Sequence, residues 1–496
     1  MNRIVILLIG LSLLTQCKKH ETMTELKVYP SEIIHTMKGG IGASWHAISR
    51  DLPLENEKYL FKAREICPRG SAFGGNPPVS DSLLWNSIKE HASWLGLNFI
   101  RVELSHDMYE PERKIFDWDN EEMQALYQIL DWCQESNADV FLQQMWGNVK
   151  WNSYPDVNPL ISAPKSLDDF AYGIATLIEY LTEIKGYSCI KYFCMTNEPP
   201  GGPWGYWWEY GNQNGSINDA WKRLKEEFDA RNIRIPISGP DWTSMPPFEE
   251  EKLVFAPWLG SFDIHSYEGV TPEGEANLKQ WADFAHAQNK PFFLTEFGNM
   301  KLGWGTDNPG PKSFEASISN ANDIIRALRA GTDGANRWSF TNRGDLDGQW
   351  QLIQTFDREK KEYLADAKTE PEAYFGFGII SRFLSKYSST VQIQCSCSDS
   401  LLLPIALVSP AGELSIFILN PSETEVNLRL SIDKYPGKTM NLYQLTKETV
   451  TQAGFELNSI HTFKSSGTEK LVLPARSITT VSSYSLSGDE KGIILQ

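Results

Sequence analysis

The chain has 496 residues, with 46 Lys plus Arg against 63 Asp plus Glu and a formal charge of −17. That balance offers no basic face and argues against a nucleic-acid partner. Hydrophobic residues at 41% and charged residues at 22% supply a packed core and exclude a disordered chain. The length suits one large domain plus a smaller one. The 17 Trp exceed what such a core needs, so some should face a ligand.

The first residues read as an address. Arg3 gives a short positive start, and Ile4 to Leu14 form an apolar run too short to span a bilayer but suited to a signal peptide. Leu14-Thr15-Gln16-Cys17 resembles a bacterial lipobox, although Gln16 replaces the small residue usual before the Cys. The resemblance implies removal of 1–16, lipidation of Cys17 and export to the bacterial envelope, on the outer membrane. An ordinary signal peptide with an incidental Cys is the alternative. Of the other cysteines, Cys67, Cys133, Cys189, Cys194, Cys395 and Cys397 show no disulfide-framework or metal-site spacing and read as structural.

A polar tail, 17–38, carries a strand-like Leu26-Lys27-Val28-Tyr29. Strands and helices then alternate. The strands are expected at 39–45, 98–104, 140–145, 190–198, 234–238, 262–267, 291–296 and 336–340. Helices are expected at 81–95 with Ser80 as N-cap, then at 120–136, 167–184, 221–231, 276–288 and 314–330. Eight βα units imply a parallel (β/α)₈ barrel over 39–386, enlarged by long loops at 47–79 and 199–219. After Ser385 short β-rich runs separated by turns read as an all-β sandwich over 387–496, which Leu26–Tyr29 could join.

Barrel active sites sit at the carboxyl ends of the strands. Strand four ends in Thr196-Asn197-Glu198-Pro199 and strand seven in Leu294-Thr295-Glu296-Phe297-Gly298. Two carboxyl groups across one cleft are what glycoside hydrolysis needs: one protonated to donate to the leaving oxygen, one ionised to attack. A pair of ion-paired rim residues is the alternative. Arg101, late on strand two, could pair with Glu296 and hold it ionised.

These motifs resemble the glycoside hydrolase clan A superfamily, retaining (β/α)₈ enzymes with Asn-Glu on strand four and Glu on strand seven. The resemblance covers the barrel. It implies that Glu198 is the general acid/base, Glu296 the nucleophile, and Asn197 a partner of the sugar 2-hydroxyl. It also implies that Tyr267 contacts the nucleophile, that His265, two residues earlier and so on the same face, points into the cleft, and that Trp338 forms an aromatic floor. A satisfied core His is the alternative for His265. Trp45 with His46 at strand one, and Trp146 at strand three, occupy similar rim places, with barrel packing as the alternative. The loop 200–208 carries Trp204, Trp207, Trp208 and Tyr206 and reads as a wall of the leaving-group subsites. The Asp spacing in 342–350 faintly resembles a Ca²⁺ loop without its last acidic ligand, so a substrate-reaching or rim-bracing loop is the better reading.

The expectation is an exported, lipid-anchored, monomeric retaining hydrolase of β-linked oligo- or polysaccharide. It should need no cofactor or metal and touch the membrane only through its anchor. A non-catalytic carbohydrate-binding lipoprotein and a transglycosylase are the alternatives. Within the clan the barrel resembles families that carry a C-terminal sandwich, including the thirtieth, the thirty-ninth and some of the fifth.

Overall fold

A computed structural model describes residues 23–47, 75–146, 149–155, 162–199, 216–303, 310–342, 350–357 and 359–494. The expected lipidation site Cys17 and the Trp204 loop lie outside them, as do Cys67 and most of the 342–350 loop.

After strand β1 (Thr24–Thr36), eight parallel strands close a barrel: β2 (Ile41–His46), β3 (Phe99–Ser105), β4 (Asp139–Trp146), β5 (Ile190–Cys194), β6 (Ile237–Trp242), β7 (Ser261–Ser266), β8 (Phe292–Phe297) and β9 (Gly334–Arg337). Between them run α1 (Ser82–Trp94), α2 (Glu121–Ser136), α3 (Leu167–Glu179), α4 (Ile217–Ala230), α5 (Pro272–Ala287), the short α6 (Met300–Gly303) and α7 (Phe314–Arg329). Side-chain oxygens cap the long helices where orphan N–H groups need acceptors. Asn120 accepts from Glu122 and Met123, Ser166 from Asp169, Ser216 from Asp219, and Thr271 from Gly274. For α1 the cap is Asp81, which accepts from Leu84, and not Ser80 as expected. The helix expected at 167–184 is α-helical to Glu179 and widens in its last stretch, Tyr180–Ile184, into a π turn.

Two strand assignments shift. The sequence places strand five at 234–238, ending before Gly239-Pro240. In the structure the pair lies inside β6, registered against Phe262 and Asp263, and the strand runs on to Trp242. The eighth strand ends at Arg337, which leaves Trp338 just beyond it. Phe99, Phe141, Cys194 and Phe293 fill the lower barrel, with Tyr192 against them. Gly42 is needed where β2 meets β3, because a Cβ there would stand 1.8 Å from the Phe99 carbonyl oxygen.

A hairpin, β10 (Ile353–Asp357) and β11 (Glu362–Thr369), and helix α8 (Pro371–Ser381) lead out of the barrel. The all-β region contains β12 (Ser389–Cys395), β13 (Leu403–Val408), β14 (Leu414–Asn420), β15 (Val426–Ile432), β16 (Thr439–Leu445), β17 (His461–Lys464), β18 (Thr468–Leu473) and β19 (Ser477–Ser482). Instead of two separate sheets, these strands and β1 hydrogen-bond as one continuous sheet in the order β17-β16-β19-β14-β13-β12-β1-β15-β18. Leu26 and Val28 of β1 share a core with Ile416, Leu428, Met440 and Leu471. Strands from both halves of that order meet in it, so the sheet rolls around its own interior. The opposite face, including Ile405, Phe417 and Ile478, joins the barrel's core against α7 and α8. Polar bonds reinforce the seam: Thr480 Oγ1 donates to the Ile379 carbonyl (2.5 Å) and Ser415 Oγ to that of Phe383 (2.8 Å). Among the described residues all five cysteines are free, three of them buried.

Trp45 corrects one expectation. It is fully buried and faces the helix layer, not the cleft. Its ring packs on Trp85 (6.2 Å), Trp132 (6.0 Å) and Phe340 (5.1 Å), and Nε1 donates to Asn76 Oδ1 at 3.0 Å. The reason is strand alternation: neighbours on β2 point to opposite sides, and His46 takes the interior. Trp45→Ala should therefore cost about 3–5 kcal/mol of stability, read as a lower urea midpoint. A loss below about 1 kcal/mol would contradict this packing role.

Candidate active site

All eight strands, at or just past their carboxyl ends, deliver side chains to one buried network. At its centre lies Arg101 of β3, fully buried. Nη1 donates to Glu103 Oε1 and to Glu296 Oε1, while Nη2 donates to Asn197 Oδ1 at 2.9 Å. Its backbone N–H is held by Asn336 Oδ1 (3.1 Å) on β9. Burial opposes the guanidinium charge, but Glu296, Glu103 and Asp241 more than offset it and raise its pKa.

Glu296, on β8, is 3% exposed and doubly held. Arg101 donates to one oxygen and the Tyr267 hydroxyl to the other. Burial pushes the Glu296 carboxyl up to about 7, against the downward pull of Arg101 and His265. Arg101 thus pulls toward the ionised form, as expected of a neighbouring cation, but desolvation outweighs it.

Glu198 follows the end of β5 with φ at 48°, in the left-handed region that a residue with a side chain rarely adopts. Its N–H donates to Asp241 Oδ2 at 3.0 Å, which fixes this turn. Its Oε1 lies 2.8 Å from His265 Nδ1. The other ring nitrogen, Nε2, lies 2.9 Å from Asp241 Oδ1, and Nδ1 also stands 3.4 Å from Glu296 Oε2. With carboxylates at both nitrogens, His265 is driven toward its protonated form. Burial opposes that charge; Glu296 and Asp241 overcome it and raise the pKa well above the ordinary value. A ligand-type oxygen of Glu198, one of Glu296 and a ring nitrogen of His265 all lie within 4.8 Å of one another. The imidazole has no lone pair to spare for a metal while both nitrogens serve carboxylates.

His46 and Trp338 complete the described floor. His46 Nδ1 pairs with Glu103 Oε2. The His46 and Trp338 rings meet edge to face at 4.9 Å, and Arg101 Cζ stands 5.9 Å from the Trp338 ring. Trp338 is 4% exposed. Trp146 closes β4, with its side chain outside the described residues. The structure therefore brings together Arg101, Asn197, Glu198, His265, Tyr267, Glu296, His46 and Trp338, and leaves Trp45 apart.

Three members were missed in the sequence. Glu103 lies two residues after Arg101, so strand periodicity alone places it on the same face. Asp241 was hidden by ending strand five at Ser238. It accepts from Gln143 Nε2 (3.0 Å), a third missed residue, whose amide also reaches the Thr196 carbonyl. Beneath it Asp263 accepts from Ser238 Oγ (3.0 Å) and Thr295 Oγ1 (3.2 Å). Burial first, and Asp241 second, push Asp263 well above the ordinary carboxyl range.

Compared with solved structures, the chain resembles a family 30 endoxylanase from Clostridium papyrosolvens, with TM-score 0.62 and 12% identity over 92% of this chain and 99% of that one. It also resembles an endo-β-1,6-glucanase, with TM-score 0.61 and 14% identity over 93% and 94%. An α-L-arabinofuranosidase from Thermotoga maritima gives 0.57 and 12% over 94% and 100%. The chain has the fold of these glycosidases, a (β/α)₈ barrel with a β-rich companion. No family model and no curated sequence matches it.

Asp241 is one of two carboxylates raising the His265 pKa. In Asp241→Asn the hydrogen bond can persist but the charge is lost, so the His265 ring should titrate at lower pH by ¹⁵N NMR. An unmoved titration would remove Asp241 from this role.

Proposed function

We propose that the chain is a retaining glycoside hydrolase acting on β-linked oligo- or polysaccharide, with Glu296 as nucleophile and Glu198 as general acid and base. The observation that carries this reading is the approach of the two carboxyl groups from facing strand ends, with an oxygen pair within 4.8 Å. Direct attack by an enzyme carboxylate goes with a separation of roughly 5–5.5 Å, whereas a water between substrate and base goes with roughly 6.5–9.5 Å. The shared barrel fold supports the reading as an analogy.

In the first step Glu296 attacks the anomeric carbon and the bond to the leaving oxygen breaks. That oxygen takes a proton from Glu198. In the second, water gives its proton to Glu198 and its oxygen to the anomeric carbon, and the bond to Glu296 breaks. Arg101 and Tyr267 fix the attacking carboxylate in place and stabilise it again as it leaves. With Oε1 held by His265, the other oxygen of Glu198 is the one left to carry the proton to the leaving oxygen. Asn197 spends its carbonyl on Arg101, which turns its amide N–H groups to a sugar hydroxyl beside the reacting carbon. His46 and Trp338 form the floor beneath that sugar. The Cys17 motif supports export and a lipid anchor. Among the described residues no helix is long and apolar enough to cross a membrane. The three named activities differ in sugar, so a panel of nitrophenyl glycosides and polysaccharides assigns the substrate.

Glu296→Ala should lower turnover of an activated β-glycoside by roughly 10³-fold or more. Azide should restore it with inverted product, since the small anion takes the vacated place. Wild-type turnover by this variant would overturn the assignment. The pH profile gives a second test. A nucleophile whose carboxyl sits at about 7 is lost to protonation as pH falls below that value, so kcat/KM should drop on the acid side of about 7. Arg101→Met removes a charge that lowers the Glu296 pKa, and should move this limb to higher pH. A limb that stays put would show that Glu296 does not set it.

A further inference from the structure

The end of the barrel opposite the candidate active site holds a second group of convergent side chains. His35 lies near the end of β1, where the chain passes into β2, His286 sits in the last turn of α5, and Asp333 immediately precedes β9. The two imidazoles stack, with centroids 4.5 Å apart and 20° between their planes. Both turn Nε2 to one carboxylate: His286 Nε2 lies 2.8 Å from Asp333 Oδ2, and His35 Nε2 lies 3.2 Å from Oδ1. Asp333 is fully buried and both His residues are half-buried, so the group is reached from solvent past the imidazoles.

The carboxylate is already served by the backbone. Oδ1 accepts the Lys38 N–H and Oδ2 the Phe292 N–H, each at 2.9 Å. Burial would raise the Asp333 pKa, but His286, His35 and the Phe292 N–H hold it below the ordinary carboxyl range, so the group is an anion. His35 Nε2 is left over. It is buried, and its approach to Oδ1 is out of line for a hydrogen bond. With a proton, this nitrogen is a buried donor that no acceptor meets squarely. Without one, its lone pair faces those of a carboxylate. Either form is costly away from water. A cation between the three side chains removes the conflict, because it takes lone pairs from all of them.

We propose that His35, His286 and Asp333 bind a late first-row divalent cation, zinc in the first instance, which staples the passage from β1 to β2 onto α5 and β9. One ligand atom from each residue lies within 4.8 Å of the other two. Small side-chain rotations bring such a set to the roughly 2.0–2.2 Å of zinc bonds. Two imidazoles with one carboxylate suit zinc, whereas calcium and magnesium prefer oxygen alone. The Lys38 and Phe292 N–H groups orient the carboxylate as outer-shell partners do. The negative end of the α5 dipole lies at His286 and favours the added charge. Water completes the coordination from the solvent side. The site is independent of the glycosidase reading, and its readouts need no turnover.

The full chain, stripped with a chelator and then crystallised with zinc chloride, should show an anomalous peak at the zinc edge roughly 2.0–2.2 Å from His35, His286 and Asp333. In solution zinc should raise Tm, and magnesium at the same concentration should not. His35→Phe and His286→Phe each keep a ring in the stack and remove one ligand. Each should weaken zinc binding in calorimetry by more than about 100-fold, beyond the loss of an outer-shell partner. Water density or direct hydrogen bonds at the triad in the zinc crystals would overturn the proposal. So would zinc affinity unchanged in both variants. If neither variant folds, the zinc peak in the wild type decides.

Discussion

The candidate site is organised by one buried cation. Arg101 reaches Glu103 on its own strand, Asn197 after β5 and Glu296 on β8. No water shell is available to it at zero exposure, so the protein supplies the whole of its solvation. Each acceptor is thereby fixed in place, because letting go would leave charge unpaired in a medium of low dielectric. Glu296 and Asn197 cannot swing without that cost. Rigidity at the strand ends thus follows from electrostatics as much as from packing.

Around this fixed centre lies a problem of too few protons for too many carboxyl groups. Glu103, Glu198, Asp241, Asp263 and Glu296 crowd a space served by Arg101, His265 and His46. Asp263, deep in the barrel, is pushed well above the ordinary carboxyl range by burial and by Asp241, and accepts from two hydroxyl donors. Asp241 resolves its share by accepting from His265, Gln143 and the Glu198 backbone. What remains is the pair that chemistry would use. Glu296 is raised by burial and pulled back by two cations, which leaves it poised near neutrality.

The sequence made the barrel legible because its strands are short apolar runs that turn polar only at their ends, separated by amphipathic helices with clear caps. Glu198 and Glu296 stood out on the same ground. What it concealed has specific causes. Gly239-Pro240 looks like a stop, yet β6 continues through it, and Asp241 went unseen behind that false boundary. Trp45 looked like a ligand platform because a terminal aromatic says nothing about which side of the strand it faces. One residue of register decides it, and His46 holds the inner side. The short β-rich runs made the sandwich legible, but strand content does not reveal that its two halves share hydrogen bonds in one nine-stranded sheet. The pairing of β1 with both β12 and β15 joins them.

That pairing has a mechanical consequence for the barrel. β1 starts in the middle of the outer sheet and the chain passes directly from it into β2, while α8 and the strands after it return to cover α7. The outer face of α7 is therefore dry, and its inner face meets β9. Arg337 and Asn320 are trapped in that seam, one from each element. A cation there cannot relax toward water by moving the helix, since the helix is clamped from outside by β13 and β14. The same clamp holds Trp338, the next residue, against Arg101 and His46 on the cleft side. The companion sheet thus acts on the site without touching it, by fixing the wall from which the floor of the cleft projects.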